Sequence, residues 1–222
     1  MEFLAALFPG TAHRAVPVDV SVDHHFSLPY GERAVLSALV AHLQPRVVFE
    51  FGTFTGATTR MIADLLPATS TIHTIDLPDE QMTWPVGGQD FRDRAEYADR
   101  IVMHRCSTRS FDFTPFGSAV DFVFVDATHD YDHVLHDSRR ALEMVSGDGV
   151  VVWDDYQART IGVVDALNEL SREVQLVRVA YTRLVVFRKH PFPNVAPANL
   201  APWVDHPPRD SPGPAGTARP PS

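Results

Sequence analysis

Arg46-Val-Val-Phe-Glu-Phe-Gly-Thr-Phe-Thr-Gly56 runs from a β-branched and aromatic segment into two glycines four residues apart, and Ala57-Thr-Thr-Arg-Met-Ile-Ala-Asp-Leu-Leu66 follows as a helical pattern. A short apolar strand, a glycine-bearing turn and a helix, in that order, open a βαβ unit. Outward from this stretch the pattern repeats. Ser70-Thr-Ile-His-Thr-Ile-Asp76 and Arg100-Ile-Val-Met-His104 read as the second and third strands, each preceded by a helical pattern. Ala119-Val-Asp-Phe-Val-Phe-Val125 and Gly149-Val-Val-Val-Trp153 are near-continuous apolar runs, as expected for central strands covered on both faces, with Asp148-Gly149 as the turn into the latter.

Tyr131 to Val145 links these two strands as a helix, with Val134, Leu135, Ser138, Leu142 and Val145 on one face and His133, Asp137 and Arg140 on the polar one. After a further helix near Ile161 to Glu173, the runs Val174 to Ala180 and Arg183 to Arg188 are separated only by Tyr181-Thr182, a gap too short for a parallel crossover. The predicted fold class is α/β: a Rossmann-like, mainly parallel sheet with helices on both faces, closed by a C-terminal antiparallel hairpin.

The 222 residues, 45% hydrophobic and 21% charged, suffice for one domain with a core that needs no disulfide or structural metal. Nineteen Lys and Arg against 28 Asp and Glu give a net charge of -9, which disfavours nucleic acid or anionic lipid as the main partner. The one cysteine, Cys106, has no zinc-type Cys/His spacing around it. No apolar run reaches the roughly 18 to 20 residues of a membrane span. The opening MEFLAALFPG lacks the basic start and small-residue cleavage pattern of a signal peptide, so a cytoplasmic location is expected. Three segments follow from composition: residues 1–29 as an N-terminal lid, 30–188 as the domain, and 189–222 as a disordered tail carrying 10 of the 18 prolines. The connection Asp79 to Gln89, with Met82, Trp84 and Pro85, reads as a second apolar lid, although Trp84 serves equally as a loop anchor.

In an open α/β sheet, ligands bind beyond the carboxyl ends of the strands. After the first strand, Phe54 stands where a dinucleotide fingerprint needs its second glycine, so a pyrophosphate cradle is disfavoured. Gly52 and Gly56 would still admit a smaller ligand, with Glu50 aimed at its amino or ribose groups; the plainer reading is two helix-capping glycines. Asp76, ending the second strand, can accept two ribose hydroxyls or cap the turn with Pro78. Ser107, beside Cys106, can border an adenine ring. Asp126, Asp154 and Asp155 converge after the fourth and fifth strands, an arrangement of hard oxygen ligands that suits magnesium over zinc, or else caps the following helices. His129, three residues past Asp126, is placed to take a proton from a metal-bound hydroxyl, or is simply solvated. His133 and His136 read as surface residues.

Phe49-Glu-Phe-Gly-Thr-Phe-Thr-Gly56, Thr74-Ile-Asp-Leu-Pro78, Asp121-Phe-Val-Phe-Val-Asp-Ala-Thr-His-Asp-Tyr131 and Gly149-Val-Val-Val-Trp-Asp-Asp-Tyr156 together resemble the class I S-adenosylmethionine-dependent methyltransferases over about residues 30 to 188. The ExGxxxG form of the first motif and the aspartates after strands four and five resemble the magnesium-dependent small-molecule O-methyltransferases of the catechol and caffeoyl-CoA type, and the bacterial relatives with a "TxDLP" second motif more closely. The resemblance implies that Glu50, Gly52, Thr53 and Gly56 hold the methionine and ribose portion of S-adenosylmethionine, Asp76 the ribose hydroxyls and Ser107 the adenine edge. It implies Asp126, close to the cofactor, as a magnesium ligand with Asp154 and Asp155. The catechol type has a lysine base where this chain has His129, and an Asp-Asn pair where it has Asp154-Asp155. The implied reaction moves a methyl group to a hydroxyl of a small molecule, with His129 as base and a homodimer as a common assembly.

A rival reading is a cofactor-binding regulatory or scaffold protein without catalysis, motivated by those two departures and by the Pro-rich tail. A nicotinamide oxidoreductase is disfavoured by the missing glycine.

Overall fold

In the computed structural model, which describes residues 4–13, 15–18, 28–82, 87–192 and 200, the run Val47–Phe51 becomes β1, with a parallel neighbour on each side. These neighbours are β2 (Thr71–Asp76) and β4 (Val120–Val125). Strand β3 (Ile101–Arg105) extends the sheet beyond β2 and β5 (Val145–Trp153) beyond β4, both parallel. The chain then reverses: β7 (Val185–Arg188) pairs antiparallel with β5, and β6 (Val177–Arg178) lies outermost. The order β3-β2-β1-β4-β5-β7-β6 is the mainly parallel sheet with a terminal hairpin that the sequence predicts. It places the reversal of strand order between β1 and β4, where a crevice opens at the carboxyl ends.

Alternation along the strands sends side chains into two cores. Val48, Phe122, Phe124, Val150 and Val152 pack with Leu7 of the short α1 (Leu4–Leu7), Leu36, Leu39 and Val40 of α2 (Tyr30–Leu43) and Met61 and Ile62 of α3 (Ala57–Leu65). Phe49, Phe51, Val123, Val151 and Trp153 pack with Val134, Ala141 and Met144 of α4 (Tyr131–Met144) and Val163 and Leu167 of α5 (Ile161–Leu170). Most of these side chains are fully removed from water, which accounts for near-continuous apolar strands.

Several expected boundaries shift. Val145 leaves the predicted helix and pairs with Val120 in the sheet; the ladder is irregular between Val120 and Phe122, where Gly147 and Asp148 are exposed, so Asp148-Gly149 lies inside β5 and is not a turn before it. Strand β6 is limited to two residues and α5 ends at Leu170. Asp137, assigned above to the polar face of α4, is instead 2% exposed, because that flank is covered by the loop after β3 near Thr108.

The flanking segments contribute to the core where they are described. Leu7 and Phe8 are buried, Phe8 meets Phe192 edge-on at 5.5 Å, and Leu200 is buried against the other core. The rest of the expected lids and tail, residues 19–27, Trp84 with Pro85, 193–199 and 201–222, lies outside the described residues. Among the described residues, no helix is long and apolar enough to cross a membrane.

Gly52 sits at φ 92°, and a Cβ there would lie 2.1 Å from the Asp126 carbonyl oxygen. The ends of β1 and β4 meet backbone to backbone, with Asp126 N–H donating to the Phe51 carbonyl at 2.9 Å. On the outer part of the sheet, His73 Nδ1 and His104 Nε2 are 3.2 Å apart, their rings stacked among Phe49, Phe111 and Phe116. Burial, and then the neighbouring His104, lower the His73 pKa from 6.5 to about 4.

Two stability predictions follow from these contacts. Gly52→Ala combines a left-handed backbone with a clash and should lower stability by at least ~2 kcal/mol. Gly31→Ala, in α2 with nothing within 4 Å of a new Cβ, should raise it by about 0.5 kcal/mol; urea midpoints compare the two. For His73 the folded pKa lies below that of the unfolded chain, so its contribution is complete above pH 6.5 and is lost as pH falls toward 4. Allowing for the partial exposure of the ring, roughly 1 kcal/mol should disappear between pH 6.5 and 5 in wild type and not in His73→Phe.

Candidate active site

The carboxyl ends of the central strands open into one cavity of about 860 Å³. Its first wall is the turn after β1. Gly56, at φ 87°, starts α3, and Phe54 also lies in the left-handed region at φ 46°. Asp76, from the end of β2, holds this turn: its Oδ2 accepts the N–H groups of Thr53 at 3.0 Å and Phe54 at 2.7 Å, while Oδ1 accepts that of Leu77 at 2.8 Å. Backbone donors fix a carboxylate well because their directions are set by the chain. Gly52, Thr53, Asp76 and Ser107 all line the cavity.

Glu50 and Gly56 do not line it. A Cβ on Gly56 would lie 2.5 Å from the Phe91 ring, so the close packing of the turn also requires a glycine there. Glu50 is buried beneath the turn, where Thr59 and Thr74 both donate hydroxyl hydrogen bonds to its Oε2, the latter at 2.7 Å. The Thr53 and Thr74 hydroxyl oxygens are 2.7 Å apart, so Glu50 communicates with the cavity through two threonines. Its Oε1 has no partner among the described residues, and burial raises its pKa to about 7.

The opposite wall carries the acids. Asp126 follows β4, and Asp154 and Asp155 follow β5, with Asp155 at φ 61°. Asp126, His129 and Asp155 each place a potential ligand atom within 4.8 Å of the others. His129 Nε2 is 2.6 Å from Asp155 Oδ2, with the imidazole half exposed at 51%. Asp154 is held differently: its Oδ2 accepts from Arg183 Nη2 at 2.6 Å, and its buried Oδ1 has no partner among the described residues. Arg183 Nη1 also lies 3.0 Å from Asp155 Oδ1, which accepts from Gln157 Nε2 at 2.9 Å.

The titration behaviour follows from burial and crowding. Burial, and then the charges of Asp154 and Asp155, push Asp126 well above the usual carboxylate range. Burial and the adjacent Asp155 raise Asp154 to about 6 against the pull of Arg183. Burial also acts to raise Asp155, but the His129 hydrogen bond and the Arg183 charge outweigh it and hold this carboxyl low. The same hydrogen bond raises His129. One wall is therefore short of positive charge, and Arg183 supplies only part of it.

The sequence reading missed Arg183, Glu32, Gln157 and Asp137. Arg183 is a cation in the first turn before an apolar strand, which was the one available signal. His133, expected on the surface, lines the cavity while pairing with Asp130 at 3.0 Å, because α4 begins at the cavity rim. His136 reaches the Thr108 carbonyl oxygen at 3.3 Å. Leu28 and Met82 provide apolar lining from the two segments expected to act as lids.

Residues 49–156 match the family model described as a methyltransferase domain, a span that includes the glycine turn, Asp76, Ser107 and all three acids of the lip. No curated protein sequence matches the chain. Among solved structures, the methyltransferase PaMTH1 of Podospora anserina, bound to S-adenosylhomocysteine, superposes with a TM-score of 0.63 at 14% identity, covering 83% of this chain and 86% of that one. The O-methyltransferase TomG of Streptomyces achromogenes, in complex with S-adenosylmethionine, gives 0.57 at 18% identity over 72% and 80%. An O-methyltransferase of Bacillus cereus, in complex with S-adenosylhomocysteine, gives 0.55 at 15% identity over 82% and 89%. Residues 49–156 are therefore similar to a methyltransferase domain, and the chain shares the fold of these solved methyltransferases.

Proposed function

We propose that the protein transfers the methyl group of S-adenosylmethionine to a hydroxyl oxygen of a small molecule, with a divalent cation at the acidic lip. The observation that carries this reading is the lip itself, at the mouth of the cavity whose other wall is the glycine turn. Among the described residues, Asp126 makes no ion pair, Asp155 and the His129 nitrogen lie within 4.8 Å of it, and Asp154 beside them keeps a buried oxygen without a partner. This donor set fits a magnesium ion held by Asp126, Asp154 and Asp155. When bound, such a cation lowers the pKa of an acceptor hydroxyl and neutralises the oxyanion.

The chain's own residues supply the rest. Thr53, Asp76 and Ser107 are placed to bind the cofactor's ribose and adenine, and Gly52 leaves room for it beside the backbone of Asp126. His129 is oriented by Asp155 and half exposed to the cavity, a suitable position for taking the proton from the acceptor. Leu28 and Met82 give the acceptor side an apolar surface and help to exclude water. The rate then derives mainly from holding the acceptor oxygen in line with the methyl group.

A second reading keeps the transfer but omits the cation, with the His129–Asp155 pair alone as base. It is favoured by Arg183, which already neutralises part of the charge on Asp154 and Asp155.

Isothermal titration with S-adenosylmethionine, in magnesium and again in chelator, tests the assignment. Cofactor binding is expected under both conditions, and a vicinal-diol acceptor should bind only with magnesium. Absence of cofactor binding in both would overturn the methyltransferase reading. Asp154→Ala should lower turnover at least ~100-fold while leaving cofactor affinity within about threefold. Full wild-type turnover in excess chelator would select the cation-free reading.

A further inference from the structure

We propose that Arg183 is a positioning residue for the cation site, holding one oxygen each of Asp154 and Asp155 so that Asp155 stays grouped with Asp126 and His129 and the second oxygen of Asp154 is kept free. The inference rests on the cation reading above and deepens it. The two arms of one planar guanidinium are divided between the aspartates, Nη2 to Asp154 Oδ2 at 2.6 Å and Nη1 to Asp155 Oδ1 at 3.0 Å. Among the described residues Asp154 Oδ1 has no partner, and Asp155 Oδ2 pairs with His129 Nε2 at 2.6 Å. Two neighbouring carboxylates would otherwise turn apart to reduce their repulsion. A rigid fork fixes both, which a flexible ammonium cannot do as well.

Arg183 is itself anchored. Glu32, in the first turn of α2 and 7% exposed, accepts the Arg183 backbone N–H at 3.2 Å and stands 3.8 Å from Nε. The Arg183 carbonyl accepts the N–H of Tyr156 at 3.0 Å, the residue that follows the aspartate pair. Asp155 lies between these restraints at φ 61°, a conformation that a residue with a side chain holds only when its surroundings impose it. Helix α2, the hairpin and the end of β5 thus converge on one guanidinium.

The sign of a single measurement separates this role from simple charge neutralisation. Coulomb's law alone says that removing a fixed positive charge beside the site should tighten binding of a divalent cation. A positioning role says that binding should weaken, by about 10-fold or more for a residue supporting ligands from behind. Mn²⁺ binding, read from the electron paramagnetic resonance signal of the free ion, would be compared for wild type, Arg183→Gln, Arg183→Lys and Glu32→Gln, with S-adenosylmethionine affinity as the check on folding. We expect Arg183→Gln to bind Mn²⁺ about 10-fold or more weakly, Arg183→Lys to recover part of the loss, and Glu32→Gln to weaken binding about threefold. Should Arg183→Gln fail to fold, Glu32→Gln keeps the guanidinium and alters only its anchor. Wild type that binds Mn²⁺, with unchanged or tighter binding in Arg183→Gln or, where that variant does not fold, in Glu32→Gln, overturns the positioning role alone. Wild type that leaves Mn²⁺ free overturns the cation reading and this role with it.

Discussion

The backbone of Gly52 lies against the carbonyl of Asp126 so closely that no side chain fits between them. Most of the site depends on this contact. It brings the ends of β1 and β4 together at the point where the strand order reverses, and so brings the glycine turn to the same crevice as the acids. A bulkier residue would have to push the turn outward, and Thr53 and Phe54 would then lose their bonds to Asp76. The close approach, the crevice and the braced turn are consequences of one missing Cβ.

Around that contact the sequence was legible wherever a local pattern determined the outcome. The central parallel strands are buried runs with little freedom to be anything else, and the short final hairpin marks the antiparallel end of the sheet, whereas the spatial order of the strands is seen only in the structure. Gly52, Asp76, Ser107, Asp126 and Asp155 could be placed because strand ends in such a sheet share one edge. What could not be read were relations between distant segments. Arg183 reaches Asp154 across 29 residues and Glu32 meets Arg183 across 151, and neither separation leaves a periodic trace. Glu50 shows the same limit: its position in the strand was clear, but whether its side chain faces a ligand or two threonines depends on Thr59 and Thr74. Asp137 was misplaced for a related reason, since helical periodicity marks a polar face and does not record which loop later covers it.

The two walls of the cavity are held by different forces. On the glycine side, Asp76 is fixed by three backbone N–H groups and Glu50 by two hydroxyls, all short-range bonds with directions set by neighbouring chain. On the acidic side, burial and then the neighbouring carboxylates raise the pKa of Asp126 and Asp154, while His129 and Arg183 hold Asp155 low. Such an arrangement responds to any change in local charge, because each group feels the rest at low dielectric.

That difference bears on the order in which the site can be filled. A wall built from directed backbone bonds keeps its shape with or without a ligand, so the glycine side is preformed and needs no cation to assemble it. The acidic wall is braced from behind by Arg183, whose backbone is tied to Glu32 of α2 and to Tyr156, the residue after the aspartate pair. A fork that restrains one oxygen of each aspartate leaves the other outside its hold, so adding positive charge at the lip relieves repulsion without a rearrangement of the backbone. The shape of the glycine wall and the charge of the acidic wall are thus separable properties of one sheet edge, which meet where Gly52 touches Asp126.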